Sequence, residues 1–268
     1  MGEFGDDLRR VFRLPWVLGG LVLVGILCAV EAPDFRPGEP FRRQLEMGFP
    51  GQGYFLMLVA LTLGVCVSAP KLPLGVKPSA HPWRTVVAKL GTSAVVTVAV
   101  VVPTLVATAV AAAILAGNGA KPAVTTTGEL LAMGGGIVVL TVVASWLGVL
   151  ISLIFWRYTI VVVFLVWFGA AVELMTVWEP ERTGGSTMNH IGQWLPAINV
   201  YAVLDNGTQY AIHTEDPGAG RNLGYVDLSF AHGLTYLAVG VAVLAVLGLA
   251  LGRYRLAVSQ KGEPSRKL

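Results

Sequence analysis

Charge is scarce in this chain. Only 13% of its 268 residues are Asp, Glu, Lys or Arg, while 54% are hydrophobic, against roughly 25% charged in an ordinary soluble domain. That excludes one large core with water on every side. Cysteine is nearly missing as well, and Cys28 and Cys66 both fall inside apolar runs. Neither a disulfide framework nor a thiolate metal site is expected, and each thiol reads as a small apolar side chain. His190, His213 and His232 stand about twenty residues apart near Glu215, Asp216 and Asp227, without the short regular spacing of a zinc site. No G-x-x-x-x-G-K-[ST] occurs, so the chain holds no nucleotide phosphates of its own. H-E-x-x-H and G-x-S-x-G are also missing, and no catalytic centre is expected. A formal charge of +3 is too small to suggest nucleic acid as a partner.

What the chain does have is hydrophobicity in blocks, each near the roughly 20 residues a helix needs to cross a bilayer. The expected fold is an all-α integral membrane protein with six spans: about Pro15–Val30, Tyr54–Ala69, Val86–Ala116, Leu130–Trp156, Tyr158–Val177 and Phe230–Leu251. The first block lacks an A-x-A cleavage pattern and reads as a retained span. Residues 1–14 place Leu8, Val11 and Phe12 at helical spacing beside Arg9, Arg10 and Arg13, which fits either an interfacial amphipathic helix or a basic flank. A polar loop with four prolines is expected after the first span, as far as Gly53. The third span carries Pro103 near its middle, where a lost backbone hydrogen bond bends a helix. Arg157 alone separates the fourth and fifth spans, which implies a tight turn, and the tail 254–268 reads as unstructured.

Alternating sides of this layout collect lysine and arginine unequally. Arg9, Arg10, Arg13, Lys71, Lys77, Arg84, Lys89, Arg157, Arg253, Arg255, Lys261, Arg266 and Lys267 make thirteen of the nineteen on one side. Positive charge prefers the cytoplasm, so both termini are expected inside. The loop at 70–84 is then cytoplasmic and the region 178–229 external.

Several faces within the spans invite a reading. Gly134, Thr141, Ser145, Gly148 and Ser152 line one stripe of the fourth span, a face on which another helix can approach closely. Gly248 and Gly252 form a GxxxG in the sixth. Ser93, Thr97, Thr104 and Thr108 line a stripe of the third, and two roles compete: walls of a polar translocation path, or hydroxyls bonded to their own backbone and a neighbour. The second is preferred. Glu173 is the one acid embedded in an apolar run, a functional candidate that also lies about one turn from the outer end of its span. Ile191–Leu204, with Trp194, Leu195 and Pro196, is apolar but too short to cross, as re-entrant or interfacial segments are. Asn206-Gly207-Thr208 matches a glycosylation acceptor, a pattern common by chance.

The whole pattern resembles the membrane permease subunits of type-2 ABC exporters, six-span half-transporters. Three places carry the resemblance: Ala88-Lys89-Leu90 at the head of the third span, Trp146-Leu147-Gly148 through Arg157 in the fourth, and Trp194-Leu195-Pro196 before the sixth. The resemblance implies a plasma-membrane complex of a cytoplasmic ABC ATPase, which binds ATP and Mg, with this chain and a second permease copy or paralogue. It implies coupling through 70–84, with Lys71, Lys77, His81, Trp83 and Arg84 as contacts, and a gate at Trp194, Leu195 and Pro196. Many relatives carry an acid followed by Gly-Thr in the loop, whereas this chain reads Pro70-Lys71-Leu72-Pro73-Leu74-Gly75. The cargo expected is amphipathic or lipid-like. A membrane enzyme with its site in 178–229, and a sensor or assembly subunit that transports nothing, are the alternatives.

Overall fold

A computed structural model describes residues 37–68, 82–118, 125–155, 158–178, 192–213 and 223–261. Outside them lie the expected first span, the segment 1–14, Lys71, Lys77 and His81 of the loop, Arg157, and 262–268. The described chain is mostly helical: α1 Phe41–Ser68, α2 Pro82–Leu115, α3 Thr127–Phe155, α4 Thr159–Trp178, a 3-10 turn Gly192–Trp194, α5 Pro196–Leu204, strands β1 Thr208–His213 and β2 Leu223–Leu228, and α6 Phe230–Lys261. Among the described residues, four stretches are long and apolar enough to cross a membrane: Phe41–Ser68, Trp83–Leu115, Thr127–Phe155 and Phe230–Leu251. α4 follows α3 with 20 residues.

Contacts divide the chain into two units, 1–159 with 243–268, and 160–242. In the first unit α1, α2 and α3 pack on one another. Backbone meets backbone at two glycines. A Cβ on Gly64 would lie 1.9 Å from the Ser145 carbonyl oxygen, and one on Gly148 would lie 2.0 Å from that of Leu61. The small-residue stripe expected on the fourth span is therefore a packing face, with Thr141, Ser145, Gly148 and Ser152 buried. Close approach of this kind supplies van der Waals contact where lipid supplies no hydrophobic drive between helices. Gly248 of α6 is matched in the same way to the Leu150 side chain, 2.7 Å from its added Cβ.

The polarity of α2 is inverted relative to a soluble helix. Lys89, Thr92, Ser93, Thr97, Thr104 and Thr108 are buried, while Val95, Val98, Val102, Val106, Val110 and Ile114 are exposed on the other face, Ile114 to 77%. Water would favour the opposite arrangement; a hydrocarbon solvent favours this one. This is a membrane helix by its packing as well as its composition.

α1 begins at Phe41, not near Tyr54, so the second half of the expected proline-rich loop is helix. Its first turns bury Gln44, Leu45, Gly48, Phe49, Pro50 and Gln52 at helical spacing. Gln44, Gln52 and Pro50 look like a loop only until the neighbours that bury them are in place. α6 runs on to Lys261, where a tail without structure was expected from 254.

The second unit holds a small subassembly that span-counting does not foresee. β1 and β2 pair antiparallel with Thr208 opposite Leu228 and His213 opposite Leu223. Ile198, Ala202 and Leu228 form a core beneath the hairpin, with Leu195 and Val226 against it. α5 stops in a Schellman turn: Asn206 takes φ 57°, and the Gly207 N–H donates to the Ala202 carbonyl at 2.8 Å. Asparagine tolerates that left-handed conformation. The sequon at Asn206 is thus also a helix cap. At Gly233 the first part of α6 meets α5, where an added Cβ would lie 2.6 Å from the Asn199 carbonyl oxygen.

Candidate functional sites at helix ends

Each unit buries one ionisable group against the end of a helix. In the first unit Lys89, one turn into the apolar part of α2 and 3% exposed, donates from Nζ to the Ser68 carbonyl, with the Ser68 hydroxyl at 3.4 Å. Ser68 is the last residue of α1. A helix C-terminus carries unpaired carbonyls and partial negative charge, so an ammonium there satisfies both. Lys89 thereby joins the two helices that the 69–81 segment connects, at the points where that segment leaves and enters them. Trp83 and Arg84 form the first turn of α2 and both are exposed, so they are free to touch a partner.

A second tie joins the same pair of helices farther along. Gln52 Nε2 donates to Thr108 Oγ1, both fully buried. Ser68 is sixteen residues from Gln52 and Lys89 nineteen from Thr108, or about 24 and 28 Å of helix at 1.5 Å per residue. The two ties thus stand about one hydrocarbon thickness apart, since that layer measures about 30 Å.

The hydroxyl stripe lies between them. Ser93 donates to the Leu90 carbonyl at 3.0 Å, Thr104 to that of Val100 at 2.8 Å and Thr108 to that of Thr104 at 2.9 Å. Ser145 of α3 reaches Ser93 at 3.5 Å. Ser93, Thr97, Thr104 and Thr108 are all buried between helices of one unit; Ser93, Thr104 and Thr108 bond to their own helix, as the packing reading expects, while the Thr97 hydroxyl has no hydrogen-bond partner among the described residues. On the packing reading, replacing Thr97 and Thr104 together by valine keeps their shape and leaves both stability and activity within about twofold of the parent. Loss of activity with the fold intact, read by thermal unfolding alongside the functional assay, would return them to a path.

Glu173 of α4 has a comparable task in the second unit. It is 8% exposed, and its Oε1 accepts the Ala197 N–H in the first turn of α5. Leu195 caps that helix without a side-chain hydrogen bond and Pro196 stands at its start, so the turn has few other ways to satisfy its donors. A carboxylate facing a helix N-terminus is favourable in charge as well as in hydrogen bonding. Asn199, fully buried, donates from Nδ2 to the Gln193 and Leu195 carbonyls at 2.9 and 2.8 Å and holds the 3-10 turn against α5. Trp194, Leu195 and Pro196 are consequently held from both sides. Glu173→Ala is expected to raise hydrogen exchange at the Ala197 and Ile198 amides and to cost about 1–3 kcal/mol for the orphaned donor; Glu173→Gln keeps an acceptor and costs about 0.3–1 kcal/mol. Unchanged exchange in the alanine variant would deny Glu173 this role.

In the sequence, lysine at position 89 reads as a topology signal and glutamate at 173 as a functional candidate near the end of its span. Neither partner, Ser68 or Ala197, carries any mark in the sequence. Among the described residues no group of three or more His, Cys, Asp or Glu comes together to hold a metal. No family model matches the chain, nor does any curated protein or solved structure.

Proposed function

We propose that this chain is the permease subunit of an ATP-driven ABC exporter in the plasma membrane, with both termini in the cytoplasm. The observation that carries the reading is the Lys89–Ser68 tie. A push on the 70–84 segment by a cytoplasmic ATPase needs a rigid base to act on, and a buried ammonium joining α1 to α2 makes the two helices move together. Trp83 and Arg84 at the start of α2, with Lys71, Lys77 and His81 before them, are the contacts for that ATPase. ATP and Mg bind the partner, and this chain supplies none of the hydrolytic chemistry.

Closure of the ATPase tilts α1 and α2 and opens a seam with a second permease copy toward the outside. The 3-10 turn and α5 serve as a re-entrant gate at Trp194, Leu195 and Pro196, braced by Glu173. The valine face of α2 suits an amphipathic or lipid-like cargo, which can slide along apolar walls without losing hydrogen bonds. The fifth and sixth crossings are α4 and α6, and Pro15–Val30 is the first.

The reading is tested by recovering the tagged chain from its native membrane in mild detergent and identifying what stays bound by mass spectrometry. A stoichiometric ATPase, lost when residues 70–84 are scrambled, is the expected result. Recovery of the chain without any nucleotide-binding partner across several detergents would sink it.

A further inference from the structure

A polar cavity of about 510 Å³ opens in the second unit, between the hairpin and the start of α6. Its wall includes Gln193, Asn206, Gln209, Asp227, Ser229 and His232. Sheet register builds its centre: Gln209 stands directly across from Asp227, and Gln209 Nε2 donates to Asp227 Oδ1 at 2.6 Å. The Ser229 hydroxyl accepts the His232 N–H at 3.2 Å in the first turn of α6. His232 Nε2 is buried and has no hydrogen-bond partner among the described residues. Such a group calls for a partner that the described residues do not provide. Trp194, adjacent to Gln193, is 57% exposed and its ring lies 6.0 Å from that of His232.

The lining selects among ligand chemistries. Among the described residues no lysine or arginine lines the cavity, so there an anion would meet only the Asp227 carboxylate and be repelled. A metal cation wants several oxygen ligands, and the one carboxylate already accepts from Gln209. Side-chain amides, hydroxyls and imidazole both donate and accept. A ligand hydroxyl also does both, and several of them on a compact frame would match this wall. An exposed indole offers an apolar face for the C–H side of a pyranose ring, and the volume is in the range of small-molecule sites.

We infer that this cavity binds a neutral sugar, its hydroxyls held by Gln209, Asp227 and His232 and its ring set against Trp194. The site stands whether or not an ATPase is coupled to the chain. A sugar can reach it as a free saccharide or as the headgroup of a glycolipid, and the experiment separates the two.

The purified full chain is placed in nanodiscs of phosphatidylcholine, because common alkyl-glycoside detergents would themselves occupy the site. Saturation-transfer NMR is recorded with methyl glycosides of glucose, galactose, mannose and N-acetylglucosamine, and in parallel with discs doped with a hexosyl diacylglycerol and read by tryptophan fluorescence. At least one sugar is expected to bind, with affinity falling about tenfold or more in Asp227→Ala and in Trp194→Ala, while inorganic phosphate and ethanolamine fail to compete. Binding of the free glycosides marks a soluble saccharide; a response confined to doped discs marks a lipid headgroup. Gln209→Ala, at an exposed strand position, provides a third variant should either of the others unfold. The inference is overturned if no sugar binds in either format up to about 50 mM, if ethanolamine or phosphate displaces it, or if the folded variants bind as the parent does.

Discussion

Gly148→Leu is expected to lower the stability of the first unit by about 3 kcal/mol. The added Cβ alone would sit 2.0 Å from the Leu61 carbonyl oxygen and 3.1 Å from the Val65 nitrogen, and backbone cannot rotate out of the way as a side chain can. α1 and α3 would have to separate along the contact that holds most of the unit together. Overpacking a core costs typically 1–3 kcal/mol, and with backbone on the receiving side the upper end of that range, about 3 kcal/mol, is the expectation. Gly64→Leu should behave alike, since it meets the Ser145 carbonyl from the other helix. Gly135→Leu on α3 and Gly240→Leu on α6, where an added Cβ has nothing within 4 Å, should leave stability unchanged. Thermal unfolding of all four in nanodiscs decides the matter. Equal midpoints would mean that α1 and α3 are not in backbone contact.

Replacing Lys89 has the second large effect, and two substitutions separate its causes. Lys89→Met preserves the length of the stem and removes the charge, so Ser68 loses a charge-assisted donor at about 1.5–3 kcal/mol, part of which is returned because no ammonium has to be buried. Lys89→Glu places a negative group against the negative pole of α1 and against a carbonyl it cannot donate to. It should be the more damaging of the two. In the proposed transporter the methionine variant should still assemble with its ATPase, yet hydrolyse ATP without moving cargo, because α1 and α2 no longer respond as a pair. Stability within about 0.5 kcal/mol of the parent in both variants would remove Lys89 from the helix end, whatever the chain transports.

These two sites differ in how far the sequence announces them. Gly148 lies on a stripe of small residues that helical periodicity makes visible, and its role as a packing position follows from the stripe alone. The identity of the opposing residue, Leu61, does not, because nothing in a hydropathy pattern aligns one span against another. Lys89 shows the opposite case. Its position at the head of an apolar run reads as a flank that sets topology, and only its neighbour Ser68 turns it into a clamp.

Helix ends were similarly divided. α2, α3, α4 and the start of α6 fall within a few residues of their expected bounds, since each is a long apolar run closed by polar or proline residues. The sequence pattern starts α1 thirteen residues late, at Tyr54, because Gln44, Gln52 and Pro50 are polar or helix-breaking in isolation and are buried only by tertiary neighbours. The hairpin is not legible in the sequence because its strands, six residues each, are short, and the residues between them read as mixed loop.

Local chemistry alone thus determined that the chain is a membrane protein and where most of its long helices lie, because hydropathy and spacing are properties of consecutive residues. Tertiary structure decided what surrounds the polar groups: Lys89 closes one helix, Glu173 opens another, and the hydroxyls of Ser93, Thr104 and Thr108 are turned toward their own backbone. It also made the cavity, since Gln209 and Asp227 are eighteen residues apart in the chain and become partners only through strand register. Desolvation and hydrogen bonding are set by what surrounds a group in space, and the order of residues along one chain does not encode that directly.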